Sequence, residues 1–145
     1  METSETINDL LIKLLDDIVK LEQKAVITGE FKDISSNDLH IIDAIGSKSA
    51  RNMSAVAKSL KVTVGTLTIA INSLVKKGYV QRTRSDQDRR VVLITLSEKG
   101  EKAFAHHQRF HKEMVEGVLD KLSQNEADML VSALKSISAF LSQYH

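Results

Sequence analysis

In the stretch AHHQRFHKEMV, residues 105–115, His106, His107, Phe110 and His111 crowd together. His107 and His111 are four apart, so on a helix they share one face. Imidazoles at that spacing suit zinc, which takes nitrogen and carboxylate oxygen ligands in a tetrahedral shell. The same spacing aligns His107 and His111 with Phe104 and Met114, as in the wall of an apolar pocket. On these residues alone both readings stand.

A second group is cationic. The chain has 145 residues and a net charge of +1, unevenly spread. Residues 1–46 carry 4 basic and 10 acidic side chains, residues 47–90 carry 10 and 2, and residues 91–145 carry 6 and 7. A basic block between acidic or neutral flanks is expected where only the middle of a chain meets a polyanion. The alternative for such a block is a solvated basic face.

Several function classes are disfavoured. There is no cysteine, which excludes disulfides, thiolate metal ligands and thiol redox switches. No apolar run approaches the roughly 20 residues of a membrane span. The polar start METSETINDL does not suit a signal peptide, so a cytoplasmic protein without a membrane partner is expected. No glycine-rich phosphate loop, nucleophile elbow or two-histidine-glutamate zinc motif is present. An enzyme is therefore not expected.

The elements that position these groups follow from periodicity. Ile7, Leu11, Leu14, Ile18, Leu21 and Ala25 form one helical seam starting near Thr6 and Asp9, with Gly29 as its stop. Ser35 is the expected N-cap of a second helix, and Gly46 lies beyond its end. Short helices are expected over about 52–60 and 63–77, the latter ended by Lys76, Lys77 and Gly78. GYVQRTR and RRVVLITLS flank the polar turn SDQD and read as a hairpin. Ser97 starts a long fifth helix, and SQNE, residues 123–126, is a capping box for a sixth. The sixth carries Ala127, Leu130, Leu134, Ile137 and Leu141 on one face. The long terminal helices pack either on each other or, preferably, in a core shared by two chains.

In the middle block, Val56, Ala57 and Leu60 are placed to pack against Leu67, Ile71 and Leu74. Two short helices joined by SLKVT and followed by a hairpin make a winged helix-turn-helix, whose second helix enters a major groove. Arginines at the hairpin tip RSDQDRR suit a minor groove, where negative potential concentrates.

With these residues in view, the chain resembles the MarR-type winged-helix regulators over nearly its whole length, most specifically in DRRVVLITLSEKG, residues 88–100. The resemblance implies a mainly α fold with a small β wing in a single domain. Residues 1–46 and 98–145 would supply dimerisation and ligand helices, and residues 47–97 the DNA-binding lobe. It also implies that Asp88 braces the wing, Arg90 enters the minor groove, and Arg84 and Arg89 touch phosphates. On the outer face of the second short helix stand Val64, Thr66, Thr68, Ile69 and Asn72. Methyl-bearing side chains suit thymine and asparagine suits adenine, so an A·T-rich palindromic operator bound by a homodimer is expected. A departure from the family pattern is Lys61, where a turn glycine is usual.

FKDIS, RSDQDRRVV and RFHKEMVE are similar to the fatty-acid-synthesis repressors (the FabT type), a branch of this family. In that branch a long-chain acyl group on acyl carrier protein is the corepressor. By this resemblance Phe31, Leu39, His40, Ile42 and Phe104 line an acyl tunnel with His107, Phe110, His111 and Met114. Arg109 and Lys112 would meet the acidic carrier, with His106 pointing elsewhere. No cofactor and no resident metal is expected in this reading. The alternative is a zinc-responsive repressor using His40, His107 and His111, as zinc-responsive relatives do on the same two helices. Its missing piece is a fourth ligand, because Glu22 fits only with a shifted alignment.

Overall fold

Helix ends follow local chemistry throughout the computed structural model, which describes residues 2–27 and 30–144. Helix α1 spans Glu2–Ile27 and starts earlier than expected. Glu2 and Glu5 in its first turn suit the positive end of the helix dipole. Gly29 lies outside the described residues.

Helix α2, Ser36–Ile45, opens on a reciprocal capping box between Ser35 and Asp38. Asn52 and Thr63 cap α3, Met53–Leu60, and α4, Val64–Lys76, by accepting from the amides of Ala55 and Thr66. Lys61, where the family pattern has glycine, sits in the left-handed region at φ +57° and closes α3.

The end of α4 decides where the wing starts. Gly78 adopts φ +90°, the amide of Tyr79 donates to the Leu74 carbonyl at 2.9 Å, and that of Gly78 to Val75 at 3.0 Å. This glycine-dependent double bond stops the helix and turns the chain into a strand. Strands β2, Val80–Arg84, and β3, Val92–Leu96, pair antiparallel with Val80 opposite Leu96 and Arg84 opposite Val92. A third strand was not anticipated from the sequence. β1, only Arg51–Asn52, pairs with β3, giving the order β1-β3-β2. Helix α5, Glu98–Leu119, and helix α6, Gln124–Leu141, follow, then a 3₁₀ turn at Ser142–Tyr144.

Packing divides the chain into two compact units, residues 1–108 and 109–145. In the first, Leu39, Ile42 and Ile45 of α2 join Val56 and Ala57 of α3 and Leu67, Ile71 and Leu74 of α4 in one core. Tyr79, Val80 and Ile94 of the wing and Ala103 of α5 complete it, and Leu60 packs against it partly buried. Helix α2 therefore shares its core with α3, α4 and the hairpin. By contrast, α1 leaves Ile7, Leu11, Leu14 and Leu15 exposed. In the second unit α6 buries no residue and exposes Leu130, Leu134, Ile137 and Leu141. No single described helix is long and apolar enough to cross a membrane.

The start of α5 is bound to the wing and to the loop after α2. Ser97 Oγ accepts from the Gly100 amide at 3.1 Å, and the Ser97 amide donates to the Tyr79 carbonyl at 3.0 Å. Tyr79 is buried, and its hydroxyl donates to Asp33 at 2.6 Å. Burial, then this bond, pushes the phenol well above its ordinary range. Glu101 accepts from Ser47 Oγ at 2.6 Å and from the Lys48 amide at 2.7 Å.

Those bonds to Ser47 and then to Lys48 hold the Glu101 carboxyl below its ordinary value of 4.5. A carboxyl depressed on folding stabilises fully above its unfolded value and loses that contribution as pH falls through the folded one. Glu101→Gln is expected to lower Tm at pH 7 by about 3 °C. It should also flatten the acid limb of the Tm–pH profile below about pH 4.5. A circular dichroism melt series from pH 3 to 8 measures both, and an unchanged acid limb would refute the assignment.

Candidate DNA-binding surface and buried histidine cluster

The axes of α3 and α4 turn by 106°, within the range of DNA-reading helix-turn-helix units. Because Leu67, Ile71 and Leu74 are buried, the opposite face of α4 is left outward. There Ile69 is 74% exposed and Val64 43%, with Thr66 and Asn72 also exposed. Thr68 differs from expectation. It is half-buried, and its hydroxyl donates to the Val64 carbonyl at 2.8 Å. Asn72 is not a lone amide either, because its Oδ1 accepts from the Arg82 guanidinium of β2.

The wing tip is internally braced. The Ser85 amide donates to the Val91 carbonyl at 2.9 Å, and Arg84 Nη1 donates to the Arg89 carbonyl at 2.8 Å. Arg84, expected on phosphates, thus spends one donor fixing the tip. Asp88 meets Arg90 side-on, Nε to Oδ1 and Nη2 to Oδ2, both at 3.1 Å. These bonds hold the Asp88 carboxyl below the ordinary carboxylate range. Arg90 nevertheless remains 91% exposed at its side chain, and Arg89 is exposed beside it. Asp88 therefore orients the arginine that resemblance sends into the minor groove.

Arg90→Ala is expected to weaken operator binding by roughly 10- to 100-fold, and Asp88→Asn by less. Fluorescence anisotropy at fixed salt measures this. Equal affinity for Arg90→Ala and wild type would remove Arg90 from the interface.

A second constellation lies where α1, α2 and the first half of α5 meet. Glu22 and His107 are buried, 4% and 2% exposed. His107 Nε2 stands 2.8 Å from Glu22 Oε1, and His107 Nδ1 stands 2.7 Å from Asp43 Oδ2. His40 Nε2 approaches the same Glu22 oxygen at 3.3 Å while its side chain is 52% exposed. Burial opposes the charged imidazole, but the carboxylates of Asp43 and Glu22 against its two nitrogens outweigh it and raise the His107 pKa. His106, expected to point elsewhere, bonds the Ala25 carbonyl at 3.1 Å, with its ring tilted against that of Phe31 at 5.6 Å between centroids.

Most of the expected tunnel residues in the first unit are packed rather than open. Phe31, Leu39 and Ile42 are core residues, and Phe104 lies partly buried against them. His40 lines a pocket of about 190 Å³ with Ile41, Leu60, Val62, Thr66 and Leu67, below the roughly 300 Å³ at which small-molecule sites begin. In the second unit Phe110, His111 and Met114 are half-buried, and Arg109 and Lys112 are exposed.

Asp43 and Arg82 were missed by sequence reasoning, and Glu22 was considered only as a zinc ligand requiring a shifted alignment. For Glu22 a signal existed, since it shares the α1 seam with Ile18 and Ala25. A carboxylate on an apolar face implies a buried partner.

A helix pair turned by 106°, an outward second helix and an arginine-tipped wing define a winged-helix DNA-binding protein. The family model for the transcriptional regulators SarA/Rot matches residues 25–107. The chain belongs to that family. It is 32% identical over 105 residues to the regulator SarZ of Staphylococcus haemolyticus, covering 72% of this chain and 70% of the relative. The crystal structure of Streptococcus pneumoniae FabT in complex with DNA superposes with a TM-score of 0.93 at 38% identity, covering 98% of this chain and 99% of FabT. A MarR mutant from E. coli complexed with operator DNA has the same fold, at TM-score 0.71 and 22% identity over 91% and 93% of the two chains. These relatives are transcriptional regulators, and this chain is a DNA-binding transcriptional regulator.

Proposed function

We propose that this regulator represses genes of fatty-acid synthesis, with a long-chain acyl group on acyl carrier protein as corepressor. The observation that supports this reading is the near full-length likeness to FabT. A second copy covers the apolar faces of α1 and α6, since each helix exposes a row of large apolar side chains of the kind that marks an interface. The homodimer then presents two α4 helices to an A·T-rich palindrome with half-sites about one helical turn apart.

The acyl chain parts Phe31, Leu39 and Ile42 from the core beside α1, and the exposed cations Arg109 and Lys112 meet the acidic carrier. It strengthens repression only as far as it binds the DNA-competent spacing of the two α4 helices better than other spacings. Long-chain acyl carrier protein is expected to tighten operator binding by at least about tenfold, within the usual range of allosteric coupling. Unacylated carrier should leave binding unchanged. Anisotropy titrations with both forms test this, and equal affinity with both would overturn the corepressor reading.

A zinc-responsive reading has its own support. Glu22, His40 and His107 converge, and Asp43 backs the far nitrogen of His107, the usual carboxylate support of a zinc-bound imidazole. These donors fit zinc in type. His111, one turn further along α5, is the remaining member of the set expected from the sequence. When bound, the metal would supply a cross-link between α1, α2 and α5. Loss of operator binding on chelation, restored by zinc alone, would establish this reading over the acyl one.

A further inference from the structure

Directly opposed residues of an antiparallel pair point to the same face of the sheet. Val80 opposes Leu96 and Arg82 opposes Ile94. Val80, Leu96 and Ile94 are all buried, so Arg82 leaves β2 on its core-facing side. It emerges exposed where the hairpin passes α4 and donates to Asn72 Oδ1. The clasp therefore sits at the joint between the recognition helix and the wing.

That joint has a defined place on a duplex. With α4 in a major groove and the wing tip in the neighbouring minor groove, whatever lies between them faces the sugar-phosphate strand dividing the two. The chemistry agrees with the place. Asn72 gives its carbonyl oxygen to Arg82, so the outward groups of the clasp are the Asn72 amide hydrogens and the remaining guanidinium N–H groups. A cationic, donor-rich surface is complementary to phosphate oxygens, whereas reading adenine requires the asparagine oxygen to be turned to the base edge, and here the Arg82 guanidinium stands against it.

We propose that Arg82 and Asn72 form a phosphate clamp between the two grooves. Arg82 makes the contact, and Asn72 is a positioning residue that aims it, rather than the adenine reader its exposed place on α4 suggests. The proposal rests on the reading of α4 and the wing as the DNA-facing surface, and wild-type binding in the same experiment tests that reading separately.

The test uses the full-length protein, a duplex selected by the wild type from a randomised pool, and an unrelated duplex. Affinities of wild type, Arg82→Ala, Asn72→Ala and the double variant are measured across a salt series, and each variant also selects from the pool. Thermal melts confirm folding, since both side chains are exposed. Arg82→Ala is expected to weaken binding to both duplexes by a similar factor, about tenfold. Its slope of log affinity against log salt should fall in magnitude by about 1. Asn72→Ala should weaken binding with base preference intact at every position, and the double variant should be no worse than Arg82→Ala. Relaxed preference at one A·T position in Asn72→Ala, or an unchanged salt slope in Arg82→Ala, would overturn the proposal.

Discussion

Replacing Gly100 by alanine is expected to lower the melting temperature by roughly 10 °C or more. A Cβ at Gly100 would stand 2.1 Å from the Tyr79 carbonyl oxygen and 3.2 Å from the Leu96 Cβ. Neither neighbour yields easily. The Tyr79 backbone is held by its bond to Leu74 and by the Ser97 amide, and its ring is buried. The first turn of α5 must therefore move off the wing. Overpacking against backbone lies at or beyond the upper end of the usual range, about 3 kcal/mol. At about 3–4 °C per kcal/mol for a chain of this size, that gives the stated shift. Gly117→Ala is the control, because a Cβ there meets nothing within 4 Å and alanine is the better helix former. A melt in which Gly100→Ala matches wild type would show that the close approach is not real.

His107→Ala is expected to destabilise the protein by roughly 3–5 kcal/mol. The imidazole stands between Glu22 Oε1 and Asp43 Oδ2 at 2.8 and 2.7 Å, so its removal leaves two carboxylates facing the space the ring had filled. Both the lost packing and the mutual repulsion act at the place where α1, α2 and α5 are tied. Glu22→Gln, which keeps a hydrogen-bonding oxygen without the charge, should cost much less. Urea denaturation of the three proteins decides it. A loss below about 1 kcal/mol for His107→Ala would mean that the cluster does not hold the helices together.

Helix boundaries were legible in the sequence because their causes are local. Ser35 with Asp38, Ser123 with Glu126 and Gly78 after Lys77 each satisfy helix ends within a few residues. The winged arrangement was legible too, since the apolar positions of α3 and α4 face one another wherever the turn is that short. What stayed hidden depends on partners far apart in the chain. Glu22 and His107 are 85 positions apart, and no spacing rule joins them until three helices have packed. The same limit hid the partner of Asn72. The residue that takes its oxygen belongs to a strand whose facing direction only the register reveals. The partner of His106 stayed hidden for a related reason: its helix face alone did not show that the α1 carbonyl of Ala25 lies within reach.

The order β1-β3-β2 leaves β2 at the rim of the sheet, with backbone donors and acceptors facing outward. Such a rim invites a strand from another molecule and is a common starting point for aggregation. Here four of its five residues are exposed, and two of those are Arg82 and Arg84. Two such strands meeting edge to edge would set arginine against arginine. The cations assigned here to the phosphate strand therefore also keep free molecules apart when no nucleic acid is present.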